Sequence, residues 1–209
     1  MNNTVLVVGS DAPYGAAILK RLQAEGYVVI GLTNTSDLAT AIEKLKPDFS
    51  PQRVIVVPRL PPTTPISDLA AEDLILATDD ALVSAEVAAR YLLSSAPAKH
   101  PRRLVLLSGW AVMGLPDATV ASGIMGGLIG LAKSWALELG PEGITVNAVV
   151  AGAGVVGSHW EDSLPPIGHH PTDDEVAHAV LFFVDERSGG INGQVLFVCG
   201  GLTPGIMPT

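Results

Sequence analysis

Short, nearly continuous runs of apolar and β-branched residues recur along this chain and alternate with stretches of helical periodicity. The runs are TVLVV (4–8), VVIGL (28–32), RVIVV (53–57), LVLLS (104–108), ITVNAVV (144–150) and QVLFV (194–198). Strands without polar alternation are buried on both faces, and intervening helices let consecutive strands pair in parallel. The pattern predicts an α/β fold, a Rossmann-like doubly wound parallel sheet formed by one domain over residues 1–209.

Between these runs the periodicity predicts a helix over 14–27, another over 38–46 with Asp37 as its cap, and a long helix over 69–95. Two more are predicted over 120–139 and 172–184. No run of about 18 uncharged apolar residues is present, and the N-terminus has no basic region before an apolar stretch, so we expect neither a membrane span nor a secretory leader.

Charge and cysteine content narrow the classes of partner and compartment. The formal net charge is −9, which disfavours binding to a nucleic acid or to an anionic membrane surface. Cys199 is the single cysteine and cannot form a disulfide within the chain. We therefore expect a cytoplasmic protein with no nucleic-acid or membrane partner.

Several segments together resemble one family over essentially the whole chain. GLAKSWALELGPEGITVNAV (130–149) resembles the helix and strand that follow the Tyr-x-x-x-Lys motif of short-chain dehydrogenases/reductases, and INGQVLFVCGGLT (191–203) resembles their last strand and turn. TDDEVAHAVLFFV (172–184) and PISDLAAEDL (65–74) resemble the helix before that strand and the start of the family's long interface helix. The resemblance implies the family's Rossmann-like fold and, in intact members, an NAD(P)-dependent oxidoreductase.

The nucleotide loop implied by this resemblance is altered. The family has Thr-Gly-x-x-x-Gly-x-Gly after the first strand, whereas this chain keeps Gly9 and Gly15 but has Pro13 at the middle glycine. Proline lacks an N–H and fixes φ, which impairs backbone approach to a pyrophosphate. We expect these vestigial positions to form a tight turn and to bind no cofactor.

The rest of the cofactor cleft departs from the family as well. GLTNTS (31–36) has no acidic residue for a ribose and no arginine for a 2′-phosphate, and PRL (58–60) replaces the family's Asn-Ala-Gly turn. Between the second strand and Arg53 there is room for one helix, where the family has helix, strand and helix. The sequence thus predicts a sheet truncated by about one strand and one helix, with no NAD bound by this chain.

The catalytic residues implied by the family are Asn, Ser, Tyr and Lys, of which the tyrosine transfers the proton and the lysine lowers its pKa. Ser108 matches the serine, while Ala81, Ala121 and Met125 fall at the other three positions. Neither alanine nor methionine can transfer a proton. The usual hydride chemistry is therefore excluded, and Ser108 is interpreted as a relic that caps its strand end.

Two other chemistries find little support. A hydrolase would need a base near Ser108, and the candidate histidines His159, His169 and His170 have no spacing that ties them to it. The adjacent His169 and His170 lack a third spaced ligand, so no metal site is predicted.

Four glycines mark one helix as an interface. Gly123, Gly126, Gly127 and Gly130 share one side of the predicted helix 120–139, and each costs about 0.8–1 kcal/mol relative to alanine in a helix interior. Such a cost calls for close packing against another backbone. In the family, this helix and the preceding long helix form a four-helix interface between subunits, and the last strand and C-terminal tail form a second interface.

The resemblance thus fails at the active site and holds at the interfaces. This contrast favours a non-catalytic structural subunit that assembles, in a heterotetramer, with a catalytically active short-chain dehydrogenase homologue carrying the NAD. The losses resemble those of heteromeric dehydrogenases for hydroxyacyl-CoA thioesters, such as the enzyme acting on a benzylsuccinyl-CoA derivative. Two alternatives stay open: a non-redox cyclase, dehydratase or isomerase that reuses the substrate cleft, and a homotetrameric binding or regulatory protein.

Overall fold

A computed structural model describes residues 3–34, 37–45, 49–94, 102–152 and 164–203. Its sheet has six parallel strands in the order β2-β1-β3-β4-β5-β6. The strands are β1 Thr4–Val8, β2 Val28–Leu32, β3 Arg53–Val56, β4 Arg102–Gly109, β5 Ile144–Ala151 and β6 Val195–Val198. Each lies within or next to an apolar run of the sequence, and the predicted doubly wound parallel sheet is confirmed.

Helices cover both faces of this sheet. They are α1 Gly15–Ala24, α2 Leu38–Glu43, α3 Ala71–Thr78, α4 Ser84–Ser94, α5 Thr119–Leu139 and α6 Asp173–Val184. Buried residues of α2, α4 and α5 form one apolar cluster with one face of the strands, and those of α1 and α6 form a second cluster with the other face. The central strands are therefore dry on both sides, as their continuous apolar sequences require.

The predicted long helix over 69–95 is not one regular helix. A π-helical turn, Asp79–Val83, separates α3 from α4. This turn carries Ala81, which is 1 % exposed and belongs to the core cluster. No residue of α3 is fully buried, and Ala77, near its end, packs against the core cluster only partly buried.

Helix α5 is apolar enough to need a physical explanation. Over Thr119–Glu142 it has the length and mean hydropathy, 1.3, of a membrane-spanning helix, contrary to the expectation from the sequence. Eight residues of α5 are buried, and they join the core cluster beside β4 and β5. Packing of these eight residues on the sheet accounts for part of the apolar composition of α5.

The connection from β2 to β3 is short. Its described residues contain α2 alone, a helix of six residues. Asp37 occupies the N-cap position of α2, but its side chain makes no capping hydrogen bond, so the predicted cap is wrong. The predicted loss of a strand and a helix from this connection stays a prediction.

Candidate functional site

The carboxyl ends of the parallel strands form the edge at which doubly wound folds bind ligands, especially where the strand order reverses. Here the chain goes from β1 to β2 on one side and returns to β3 on the other, so that crevice lies between β1 and β3. Gly9 follows β1, and Val57 and Pro58 follow β3. Ser108 lies at the end of the neighbouring β4.

The two retained glycines of the loop after β1 are required by the turn itself. Gly9 has a φ of +83°, and a Cβ there would lie 1.9 Å from the carbonyl oxygen of Val57. A Cβ on Gly15 would lie 2.5 Å from the carbonyl oxygen of Gly9. Tyr14, between Pro13 and Gly15, adopts a left-handed φ of 69°. Close backbone packing therefore explains both glycines without a bound phosphate.

Side-chain contacts that the sequence did not predict span this crevice. Asn34, 2 % exposed after β2, donates a hydrogen bond from Nδ2 to the carbonyl oxygen of Val57 at 2.8 Å. Arg59 Nη2 lies 2.7 Å from Asp11 Oδ2, which joins the loop after β1 to the loop after β3. In the sequence, these contacts are indicated only by the presence of polar residues after the strands.

The carboxylate of Asp11 is held in its charged form by this arrangement. Partial burial acts to raise the pKa of Asp11, but hydrogen bonds from Arg59 and from backbone N–H groups, including that of Asn34, outweigh it. The pKa of Asp11 therefore lies below its ordinary value. The contact between Asp11 and Arg59 is a true ion pair at neutral pH.

The three positions expected to have lost catalytic side chains lie together in the core. Ala81 and Ala121 are each 1 % exposed and Met125 is fully buried. All three belong to the apolar cluster under α4 and α5. None of these three side chains has an ionisable group, and none is exposed to solvent.

Ser108, the one matching catalytic position, is committed to a structural bond. It is 3 % exposed, and its Oγ donates a hydrogen bond of 3.0 Å to the backbone carbonyl oxygen of Met125. The interpretation that Ser108 caps its own strand end is therefore wrong, because the hydroxyl ties β4 to helix α5. The hydroxyl proton that Ser108 would donate to a substrate oxygen is already donated to this carbonyl oxygen.

Very little space remains beside Ser108. The cavity there measures about 20 Å³, enough for roughly one water molecule, whereas sites for small ligands measure about 300–1,000 Å³. Its walls come from the loop after β1, the loop after β3, the ends of β4 and β5, and α5: Pro13, Tyr14, Pro58, Leu60, Leu107, Ser108, Gly109, Met125 and Ala151. Apolar side chains thus fill the site among the described residues.

Two of the three candidate histidines, His169 and His170, lie among the described residues, where neither ring nitrogen of His170 has a hydrogen-bond partner. His159 lies outside the described residues. His169 Nε2 lies 3.6 Å from Glu175 Oε1. The hydroxyl of Ser108 donates its hydrogen bond to the backbone of Met125 and not to a histidine. Across the described ranges, no group of three or more His, Cys, Asp or Glu side chains is placed to bind a metal ion.

The four glycines of α5 do not share one environment. A Cβ on Gly123, Gly126 or Gly130 would meet no atom within 4 Å, whereas a Cβ on Gly127 would lie 3.1 Å from Leu82 of the π turn. Three of them therefore have free space beside them in the single chain. Gly127 instead lies in close packing of α5 against the π turn, where a Cβ would require the Leu82 side chain to shift.

Comparisons with known proteins place this fold in a family. The profile of the family described as "Enoyl-(Acyl carrier protein) reductase" matches residues 10–203. A crystal structure of an oxidoreductase of the short-chain dehydrogenase/reductase family from Burkholderia thailandensis superposes with a TM-score of 0.85 at 21 % identity, over 98 % of this chain and 94 % of that one. At that identity the structure supports the fold alone.

Two sequence relatives are subunits of one enzyme. The chain is 36 % identical to "(2S)-[(R)-hydroxy(phenyl)methyl]succinyl-CoA dehydrogenase subunit BbsD" of Thauera aromatica over 114 residues, 49 % of this chain and 45 % of that subunit. It is 33 % identical to subunit BbsC of the same enzyme over 105 residues, 47 % of this chain and 42 % of that subunit. Each match thus spans less than half of the relative.

A third relative matches along nearly its whole length. The 3-oxoacyl-[acyl-carrier-protein] reductase FabG of Rickettsia bellii is 27 % identical over 237 aligned residues, covering 95 % of this chain and 96 % of FabG. The alignment is longer than the 209 residues of this chain, so FabG has residues that this chain lacks. With the family profile matching residues 10–203 and the sheet order of a doubly wound fold, the chain belongs to the short-chain dehydrogenase/reductase family.

Proposed function

We propose that this chain is a non-catalytic structural subunit of a heteromeric, NAD-dependent short-chain dehydrogenase located in the cytoplasm. The observation that carries the proposal is the filled site at the end of β4. There Ser108 is bonded to the backbone of α5 and about 20 Å³ of space is left. A hydride-transfer site must hold a nicotinamide and a substrate side by side, and neither fits in the volume of one water molecule.

The residues at the β1–β3 crevice also do not fit a dinucleotide. The Asp11–Arg59 ion pair and the Asn34–Val57 hydrogen bond span the place where a dinucleotide crosses the strand ends. Asp11 would in addition bring a negative charge toward a pyrophosphate. We therefore propose that this chain binds no NAD and that NAD is bound by a partner subunit.

The kind of partner is suggested by the Thauera aromatica relatives. BbsC and BbsD are by name two subunits of one (2S)-[(R)-hydroxy(phenyl)methyl]succinyl-CoA dehydrogenase, and this chain is similar to both. We propose a catalytically active homologue as partner, a heterotetramer as the assembly, and a hydroxyacyl-CoA thioester as the substrate of the complex. A non-redox reaction in the old cleft is disfavoured, since the same 20 Å³ would have to hold its substrate.

The experiment has two parts. Calorimetric titration of the isolated chain with NAD⁺ and NADH is expected to give no binding heat, and micromolar binding would refute the loss of the cofactor site. Co-expression with homologues that keep the Gly-rich loop and Tyr-x-x-x-Lys, followed by native mass spectrometry, is expected to yield a mixed oligomer. If no intact homologue binds, the subunit proposal fails.

A further inference from the structure

Helix α3 presents apolar side chains to solvent. None of its eight residues is buried, and Leu74, Ile75 and Leu76 are 40 %, 66 % and 68 % exposed. The π turn continues this surface with Val83, which is 48 % exposed. Consecutive exposed leucine and isoleucine residues on one short helix are typical of an interaction surface.

A groove runs between this surface and α5. It has a volume of about 750 Å³, and its walls are mainly apolar: Leu74, Ile75, Leu82, Val83, Leu131 and Trp135. It lies on the π-turn side of α5, where Leu82 packs against Gly127. The volume is much larger than the cavity beside Ser108 and suits the side chains of a docked helix.

The same surface carries an uncompensated negative charge. Residues 60–89 contain six carboxylates and no Lys, Arg or His. Glu86, at the groove, is paired with Arg90. Among the ion pairs recorded for the described residues, none involves Glu72, Asp73 or Asp79. We call residues 68–86, with their exposed apolar side chains and carboxylates, the acidic ridge.

From this combination we propose that the acidic ridge docks an apolar helix of a partner subunit whose flanking residues are Lys or Arg, and that it selects this partner over a second copy of this chain. The inference rests on the proposed function, because it specifies the partner's chemistry. In a twofold contact between identical chains the same patch lies on both sides, so the carboxylates of two ridges would face each other. Like charges brought together at an interface suppress the wrong pairing, and opposite charges favour the right one.

A charge-reversed copy of this chain serves as a probe of defined chemistry. The variant is Glu72→Lys/Asp79→Lys, in which both changed residues are exposed on the ridge. The matched control is Glu43→Lys/Glu142→Lys, which makes the same change in net charge at exposed positions outside the ridge. Thermal melting of each variant verifies that it is folded before association is measured.

Sedimentation equilibrium then compares wild type, each variant and their mixtures. We expect wild type mixed with Glu72→Lys/Asp79→Lys to associate at least about tenfold more tightly than either chain alone. We also expect this gain to be largely lost between about 20 mM and 500 mM salt, where charges are screened. The control mixture should show no gain. An Ile75→Asp change in wild type should abolish the mixed complex.

Two results would overturn the inference: tight self-association of wild type at low salt that Ile75→Asp removes, or a mixture no tighter than its components. Binding of an intact homologue separates this failure from a failure of the proposed function. If an intact homologue binds and Glu72→Lys/Asp79→Lys leaves its affinity unchanged, the ridge inference is wrong and the subunit proposal stands. If no homologue binds, the subunit proposal is wrong, and the ridge inference, which specifies that partner, is wrong with it.

Discussion

Replacing Ser108 by alanine separates a structural serine from a catalytic one. The substitution removes the hydrogen bond that Ser108 Oγ donates to the Met125 carbonyl oxygen at 3.0 Å, inside a site that is 3 % exposed. That carbonyl lies within helix α5 and keeps its intrahelical bond. The net loss is therefore one hydrogen bond, about 1 kcal/mol of unfolding free energy, or about 2–4 °C in Tm for a domain of this size.

Ser122 provides a matched control on the same helix. Its Oγ is buried and finds no hydrogen-bond partner among the described residues. Alanine there removes an unsatisfied hydroxyl and is the better helix former, so Ser122→Ala should leave stability unchanged or raise it by about 0.5 kcal/mol. The same chemical change is therefore expected to destabilise the chain at Ser108 but not at Ser122.

Urea unfolding followed by circular dichroism measures both variants, and the activity of the co-expressed complex is measured in parallel. We expect Ser108→Ala to lower the unfolding free energy and to leave kcat of the complex unchanged. The reasoning is refuted if Ser108→Ala keeps full stability while activity is lost. It is also refuted if Ser122→Ala costs as much stability as Ser108→Ala.

Three further outcomes follow from burial and charge. The Ala121→Tyr/Met125→Lys double variant should show no NADH-dependent turnover, and hydride transfer by this variant would contradict the loss of the cofactor site. Its unfolding free energy should fall by about 3 kcal/mol or more, since the new lysine would lie at a fully buried position. Gly127→Leu should lower the Tm of the isolated chain, because a Cβ there already lies 3.1 Å from a leucine side chain. Gly123→Leu should leave that Tm unchanged and weaken only assembly, which native mass spectrometry measures. Hydrogen bonds from the neighbouring arginine lower the pKa of Asp185 from 3.8 to about 2. The contribution of Asp185 to the unfolding free energy, about 1 kcal/mol or less after solvent screening, is therefore present above pH 4 and lost toward pH 2. Asp185→Asn should flatten the profile of stability against pH in that window alone.

The strands were predictable because each run of apolar residues is nearly continuous, and the runs that form the central strands are buried on both faces. Helix irregularity was not. Residues 69–95 contain no glycine or proline that would interrupt a helix. The π turn Asp79–Val83 places Ala81 in the core and Leu82 against Gly127. Those contacts come from tertiary packing, which local helix propensity does not encode.

The positions of the candidate site were counted along the family motif, but its contacts could not be predicted from the sequence. Counting along the family motif leads to Ala81, Ala121 and Met125, and all three lie in one core cluster. The bond from Ser108 to α5 and the ion pair of Asp11 with Arg59 join residues distant in sequence. Polar residues at the strand ends mark some of these positions in the sequence, but which residues become partners depends on how the strand ends meet.

The four glycines on one face of α5 have different surroundings in the folded chain, which their spacing does not reveal. Spacing alone places Gly123, Gly126, Gly127 and Gly130 on one side of α5. The neighbouring π turn reaches only Gly127, because Leu82 projects at that level of the helix. Variants at Gly127 therefore test the fold of the chain, and variants at the other three glycines test its assembly.

The number of NADH molecules bound per pair of subunits tests the central claim most directly. The complex is purified after co-expression with an intact homologue, saturated with NADH, and weighed by native mass spectrometry. We predict one NADH for each pair, since the β1–β3 crevice and the site at Ser108 in this chain are filled by its own side chains. Two NADH molecules for each pair would show that this chain binds the cofactor and would contradict the account.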